Sequence, residues 1–499
     1  MMSGFTPTPE QDHALLCYRT SSDVVIQALA GTGKTSTLEM LARYKPSRQG
    51  LYLAFNKVIA TEAQRRFSGT GVRPMTMHAL ALRNSPDFFR ERLQGAQRFT
   101  HWGQIAKVCG VTDGYSFSTT DQASVKSLKR ETITNCVKDT VGSFMRTADP
   151  ELTVEHVRLP KALHAADGAL EQLRALVLNN ARILWADYVS PTGTLPMNHQ
   201  AYVKHWQLSS PSLNTDFVFV DEAQDLDPLL IDVILKQQCQ RIVVGDENQA
   251  IYEWRGARNS MQQFPAAWRS TLTQSFRFGP GVAEEAQKWL SLLGSDLQIS
   301  GTPMRDSRVY GMLHDAPDVS ICRTNAGAIV EVVEGQRAGR SVKIAGDKGY
   351  ELSRMSKGAL ELQQNGKTSQ ADFQIFESWD QLVEFSETEE GAELEAFVGM
   401  VDRFGAQSIV DAIDACVKPG QHADLTVSTA HTSKGMEWGS VQVSGDFARP
   451  KKDKLDETRH TLRAEEARLA YVTVTRAQDL LGTGSLNWIN KTPDRLELI

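Results

Sequence analysis

Surplus positive charge is missing from this chain of 499 residues: 54 lysines and arginines face 60 acidic residues, a formal charge of −6 with histidine neutral. The balance carries no global signature of a nucleic-acid binder, although a groove needs only a local basic lining. Paired cysteines are missing too. Cys17, Cys109, Cys136, Cys239, Cys322 and Cys416 are scattered without a Cys-x-x-Cys, which excludes a disulfide frame or zinc site and fits reduced thiols in a cytoplasmic protein. No apolar run approaches the ~18–20 residues of a membrane span, and no basic-then-apolar leader opens the chain, so no membrane partner is expected. Internal repeats, low-complexity tracts and long Gly/Ser linkers are equally lacking. What remains, 41% hydrophobic and 23% charged, is a globular composition. The length exceeds a single core, so about three or four units are expected.

One stretch organises the rest. Val24-Val25-Ile26-Gln27-Ala28 reads as a buried strand, Gly31 and Gly33 open a tight turn, and Leu38-Glu39-Met40-Leu41 continues as a helix. A strand, a glycine-rich loop and a helix N-terminus make an anion site, because bare N–H groups and the helix dipole favour phosphate. Ala30, Gly31, Thr32, Gly33 and Ser36 line it, Lys34 reaches the β/γ-phosphates and the Thr35 hydroxyl holds Mg²⁺. Upstream, Gln11 reads either as a polar helix start or as an amide that meets the adenine edge.

Two strands follow, over Gly50–Lys57 and Pro74–His78, with a helix over Val58–Phe67 between them. In an open parallel sheet the carboxyl ends of strands face the ligand crevice, which places Phe55, Asn56, Thr76 and His78 there. Residues 85–185 read as a helical insertion, with helical spacing over Asp87–Leu93, Asp121–Lys138 and Leu163–Trp185. The strand Phe217–Val220 then runs into Asp221 and Glu222. Two acids at an apolar strand end are costly unless a cation neutralises them. Asp221 completes a Mg²⁺ shell and Glu222 polarises the attacking water. Arg241–Val244 ends in a polar segment carrying Gln249, followed at once by Tyr252, Trp254 and Arg255, an aromatic–basic patch suited to stacking on bases. A second sheet is expected to start over Leu272–Phe278 and to continue at Val319–Thr324. Eight acidic residues without lysine or arginine over 377–395 make that stretch a poor phosphate contact.

Taken in order, these motifs resemble the superfamily 1A DNA helicases of the UvrD/Rep/PcrA type, closest in flavour to the F-box DNA helicase and phage-type branch, over nearly the whole chain. Ala28–Thr35 matches Walker A, Leu53–Lys57 motif Ia, Thr76–His78 motif Ib and Asp221–Asp225 motif II. Gly245–Gly256 is similar to motif III, Gln274–Arg277 to motif IV, Ser433–Trp438 to motif V and Tyr471–Ala477 to motif VI. Motif Ia is one residue tighter than usual, and Phe276 replaces a tyrosine.

The resemblance implies an α/β fold of two RecA-like P-loop domains, parallel sheets flanked by helices, with a helical 1B and a smaller 2B insertion. Domain 1A would take 1–84 and 186–270, 1B 85–185, 2A 271–335 and 421–499, and 2B 336–420. It implies an ATP hydrolase using ATP and Mg²⁺ and moving 3′→5′ on single-stranded DNA and at single-/double-strand junctions, in repair, recombination or replication. Glu222, Gln249, Arg277 and Arg476 would be catalytic. Phe276 would stack on adenine and Glu437 bind the ribose. Phe55, Asn56, His78, Tyr252, Trp254 and Arg255 would touch DNA. The rival is a translocase subunit of a larger nuclease or anti-phage defence complex with little unwinding of its own. The expected compartment is the cytoplasm, on the nucleoid in a bacterium or phage.

Overall fold

The apolar runs at Val24–Ala28, Phe217–Val220 and Val319–Cys322 become strands in the computed structural model, which describes residues 6–54, 57–94, 102–118, 125–160, 167–251, 260–346, 348–370, 373, 376–387, 392–418, 420–452, 459–491 and 495–499. Two compact units divide the chain. The first holds the chain to Gln27, Lys34–Glu247 and the stretch ending at Thr271; the second holds Ala28–Gly33, Asn248–Ile251 and Leu272–Ile499.

The first unit opens with β1 (Val24–Ala28), β2 (Gly50–Ala54) and β3 (Val72–Thr76). An antiparallel hairpin, β4 (Tyr115–Ser118) and β5 (Val125–Leu128), lies within the insertion. Then come β6 (Phe217–Val220), β7 (Gln240–Gly245) and β8 (Trp268–Leu272). Six described strands form one sheet in the order β3-β2-β6-β7-β1-β8. The register is parallel, with Tyr52 opposite Phe219, Phe219 opposite Ile242 and Ile26 opposite Val244. All of β2 and β6 is buried, which is why these strands read as continuous apolar runs without alternation. Leu51, Leu53, Val218, Val220 and Val243 share one core with Phe89, Ile105, Val137, Phe144, Val177 and Leu184 of the insertion's helices, so sheet and insertion fold around the same apolar mass.

Several expectations need correction. The helical spacing read over Asp121–Lys138 hides strand β5, and the helix itself spans Arg130–Phe144. The strand expected from Pro74 starts at Val72 and stops at Thr76, whose side chain caps the next helix by accepting the Ala79 N–H at 3.1 Å. His78 therefore sits in the first turn of the helix Met77–Asn84 and not at a strand end. Leu272 closes β8 of the first sheet, so the second sheet does not begin there.

The second unit builds its sheet from β9 (Arg308–Tyr310), β10 (Val319–Cys322), β11 (Val342–Ile344), β12 (Leu425–Thr429) and β13 (Trp438–Val443). Small strands β14 (Lys451–Lys452) and β15 (His460–Leu462) precede β16 (Ala477–Gly482), and β17 (Leu496–Leu498) ends the chain. The sheet order is β11-β12-β10-β13-β16-β9, with parallel neighbours throughout, while β14, β15 and β17 form a separate three-stranded sheet. Strand β11 lies inside the stretch read as an insertion from 336. The sheet thus continues to Ile344, and the insertion's helices run from Lys348–Asn365 to Ala406–Asp414. Among the described residues no helix is long and apolar enough to cross a membrane.

Candidate active site

Parallel pairing brings the carboxyl ends of β1, β2, β6 and β7 to one edge of the first sheet. Beyond β1 the chain turns through Gly31 and Gly33 at φ 73° and 79°, left-handed values that glycine adopts without a Cβ penalty. A Cβ on Gly31 would also overlap Ser275 Oγ. The turn starts the helix Lys34–Tyr44, so half-buried Lys34, Thr35 and Ser36 occupy its first turn, at the helix end whose dipole attracts anions.

Asp221 follows β6 and is 5% exposed. Its Oδ2 accepts the Tyr52 hydroxyl at 2.5 Å and the Thr35 hydroxyl at 3.3 Å. Burial, then the charge of Glu222, push its carboxyl above the ordinary range, against the Tyr52 bond and the charge of Lys34. Burial and the neighbouring Asp221 push the Tyr52 hydroxyl up as well, so it stays a proton donor. Thr35 and Asp221 are the hydroxyl and the single carboxylate that, with phosphate oxygens and water, make a Mg²⁺ shell in phosphate loops. Among the described residues no group of three or more His, Cys, Asp or Glu is placed to hold a metal ion.

Glu222 adopts φ 53°, ψ 42°, left-handed and unusual for a residue with a side chain. Its N–H donates to Asp221 Oδ1 at 2.9 Å. Gln224 Nε2 donates to Glu222 Oε2 at 2.5 Å, while Gln224 Oε1 accepts the Asp246 N–H at 3.1 Å from beyond β7. Gln11 completes a capping box: its Oε1 accepts the Thr8 N–H at 3.0 Å, and its Nε2 donates to Thr37 Oγ1 at 3.1 Å. His78 is exposed and stands edge-on to Tyr202.

In the second unit, Gly31 O accepts the Phe276 N–H at 2.9 Å, and Ala30 N–H donates to the Tyr471 hydroxyl at 3.1 Å. Thr32 Oγ1 donates to Leu29 O at 2.8 Å, closing the loop on itself. Phe276 is 46% exposed. Arg277 Nε donates to Glu437 Oε2 at 2.6 Å and Nη1 to Thr475 O at 3.1 Å. Gln478 Nε2 donates to Glu437 Oε1 at 2.8 Å. Burial pushes the Glu437 carboxyl up, but Arg277, the Gln478 bond and the charge of Arg476 together outweigh it, and the group lies below the usual range. Arg476 is 1% exposed and donates to Val472 O, Met436 O and Thr475 Oγ1 at 2.8, 3.1 and 3.0 Å. Buried Gln249 receives Lys434 Nζ on its carbonyl at 2.7 Å. Phe55, Asn56, Tyr252, Trp254 and Arg255 lie outside the described residues.

Sequence reasoning did not single out Tyr52, Gln224, Tyr471 or Lys434. Tyr52 had a signal: a hydroxyl inside an all-apolar strand must find a partner, and parallel pairing with the strand of Asp221 supplies one.

Comparison with known proteins follows the same lines. Residues 7–265 match the UvrD/REP helicase N-terminal domain and residues 351–485 the UvrD-like helicase C-terminal domain. The chain is similar to F-box DNA helicase protein 1 of Schizosaccharomyces pombe (strain 972 / ATCC 24843), 29% identical over 510 residues that cover 95% of this chain and 57% of that protein. It is also similar to F-box DNA helicase 1 of Gallus gallus, 27% identical over 492 residues, covering 92% and 47%. The chain spans about half the length of these relatives. With an N-terminal family match that takes in β1 to β7, the glycine-turned loop and the acids after β6, this chain belongs to the UvrD/REP helicase family.

Proposed function

We propose that the chain is an ATP-driven DNA helicase that moves 3′→5′ on single-stranded DNA and acts at single-/double-strand junctions. The observation that carries this reading is the gathering of Thr35, Asp221 and Glu222 at one strand edge beside Lys34. We take domain 1A as 1–84 and 186–272 and 1B as 85–185. Domain 2A is taken as 273–344 and 421–499, with 2B between; the shifts from 270 and 335 are supported by β8 in the first sheet and β11 in the second.

Backbone N–H groups from Gly31 to Ser36 hold the phosphates and Lys34 neutralises them, while Ala30, tied through its N–H to the Tyr471 hydroxyl, forms the start of the loop. Thr35 and Asp221 would hold Mg²⁺, which supplies charge neutralisation on the phosphate oxygens. Glu222 orients the attacking water and takes its proton. Gln249 reports the γ-phosphate, and Arg277 and Arg476 meet the charge that grows on it in the transition state. Phe276 offers an open face to adenine, Glu437 binds the ribose and Gln11 the adenine edge. Phe55, Asn56, His78, Tyr252, Trp254 and Arg255 grip the strand, the aromatics by stacking.

Strand separation on 3′-tailed, 5′-tailed and blunt duplexes, with ATP hydrolysis measured with and without single-stranded DNA, tests the reading. DNA-stimulated hydrolysis and unwinding confined to the 3′-tailed duplex are expected. Hydrolysis indifferent to DNA would overturn it, and unwinding from a 5′ tail would overturn the polarity.

A further inference from the structure

Glu222 is proposed above as the base, but a glutamate on a left-handed backbone position does not aim itself. Its φ of 53° belongs to a region that disfavours side chains, and such a conformation persists only where the surroundings over-determine it. Its main-chain N–H is held by Asp221 Oδ1 at 2.9 Å, which fixes the backbone and leaves the carboxylate to be placed by something else. Gln224 is that something. It is 2% exposed, and its amide uses both polar ends: Nε2 donates to Glu222 Oε2 at 2.5 Å, and Oε1 accepts the Asp246 N–H at 3.1 Å. An amide can donate to a carboxylate from its nitrogen and accept from a backbone N–H at its oxygen at once.

The neighbourhood is shaped for this bridge. Any Cβ at Gly245 would overlap Gln224 Oε1 and press on Met261 Sδ at 2.8 Å, so glycine at the end of β7 is what admits the amide. Asp246 is fully buried, and Gln27, on β1, donates weakly to its Oδ1 at 3.5 Å. The ends of β1, β7 and β6 are thus joined through Asp246, whose side chain meets Gln27 and whose main-chain N–H meets Gln224, with the Glu222 carboxylate at the end of the line.

We infer that Gln224 is a positioning residue for hydrolysis: it aims the Glu222 carboxylate and locks that aim to the main chain at Asp246, so that the placement of the base follows the backbone after β7. This rests on the assignment of Glu222 as base made above.

Two variants separate the ends of the bridge. Gln224→Met keeps length and removes both hydrogen bonds; Gln224→Glu keeps an acceptor for Asp246 and removes the donor to Glu222. Both are expected to lower kcat for DNA-stimulated ATP hydrolysis by ~10–100-fold, the scale of a misplaced catalytic group, with KM within about twofold of wild type. In the nucleotide-free protein, single-residue hydrogen exchange should show the Asp246 amide exchanging about tenfold faster in Gln224→Met and at the wild-type rate in Gln224→Glu. Wild-type kcat in both variants, with unchanged Tm, overturns the inference, as does an Asp246 amide indifferent to Gln224→Met. Should Gln224→Met fail to fold, the kcat of Gln224→Glu decides alone. Glu222→Gln serves as the control. If that variant hydrolyses ATP at the wild-type rate, the base assignment has failed; if it is inactive while both Gln224 variants are normal, only the inference about Gln224 has failed.

Discussion

Acidic groups are treated in opposite ways at the end of β6 and at the Arg277–Glu437 pair. Asp221 is almost wholly buried, its direct side-chain partners are the neutral hydroxyls of Tyr52 and Thr35, and its carboxyl is pushed up by burial. The Glu437 side chain is 47% exposed, bonds a guanidinium at 2.6 Å and lies below the usual range despite burial pushing the other way. The second arrangement is self-neutralising and ordinary for a protein surface. The first holds charge in an unfavourable place, the arrangement expected of the proposed cation site.

The largest effect that sharpens this contrast is in hydrolysis rate. Arg277→Ala should lower kcat by ~10³-fold or more while ATP affinity changes little, because arginine-finger charge acts mainly in the transition state. Its Tm should stay near wild type, since Glu437 remains hydrated. Steady-state hydrolysis and fluorescent-nucleotide binding check both halves. Glu222→Gln should follow with a ~10²–10⁴-fold loss in kcat and retained nucleotide binding.

Arg476→Ala is expected to differ in kind from Arg277→Ala. Removing a buried guanidinium strands the Val472 and Met436 carbonyls, so stability should fall by about 1–3 kcal/mol along with the rate. Urea melts of the two alanine variants side by side decide this, and equal midpoints would break the contrast.

Asp221→Asn should stabilise the nucleotide-free protein at neutral pH by on the order of 1–3 kcal/mol while impairing hydrolysis. The sign follows from the raised carboxyl: the folded state binds its proton more tightly than the unfolded state. The penalty is absent below the unfolded value of about 3.9, grows as pH rises and is complete above the folded pKa. Chemical melts at pH 4 and pH 8 should show the variant's advantage only at the higher pH. Glu437→Gln carries the smallest and opposite effect. Its lowered carboxyl lends stability above the unfolded pKa that is lost as pH falls, and solvent screening keeps this below about 1 kcal/mol.

Lys34 and Thr35 are read from residue type and order along one strand–loop–helix unit, and Asp221 and Glu222 from two acids at the end of an apolar strand. Gln224 and Tyr52 were not legible, because their roles depend on which strands flank β6, and order along the chain does not state order across a sheet. The same ignorance misplaced the start of the second sheet: β8, Trp-Arg-Ser-Thr-Leu, carries too few apolar residues to read as a strand, and only its pairing at an edge of the first sheet assigns Leu272 there. Strand β11 escaped because three residues are too few for a period. His78 was drawn to a strand end because a threonine cap looks, in sequence, like one more β-branched strand residue.

The left-handed backbone at Glu222 has a consequence for directed evolution. A side chain in that conformation costs roughly 1–2 kcal/mol relative to glycine, and the nearby acids add to the cost. A library of this chain selected for thermal survival alone should drift toward Gly or Asn at position 222 and toward Asn at 221, shedding turnover as it gains heat resistance. Positions that heat selection is eager to change, in a buried and well-packed setting, would then outline the active site without any substrate having been offered.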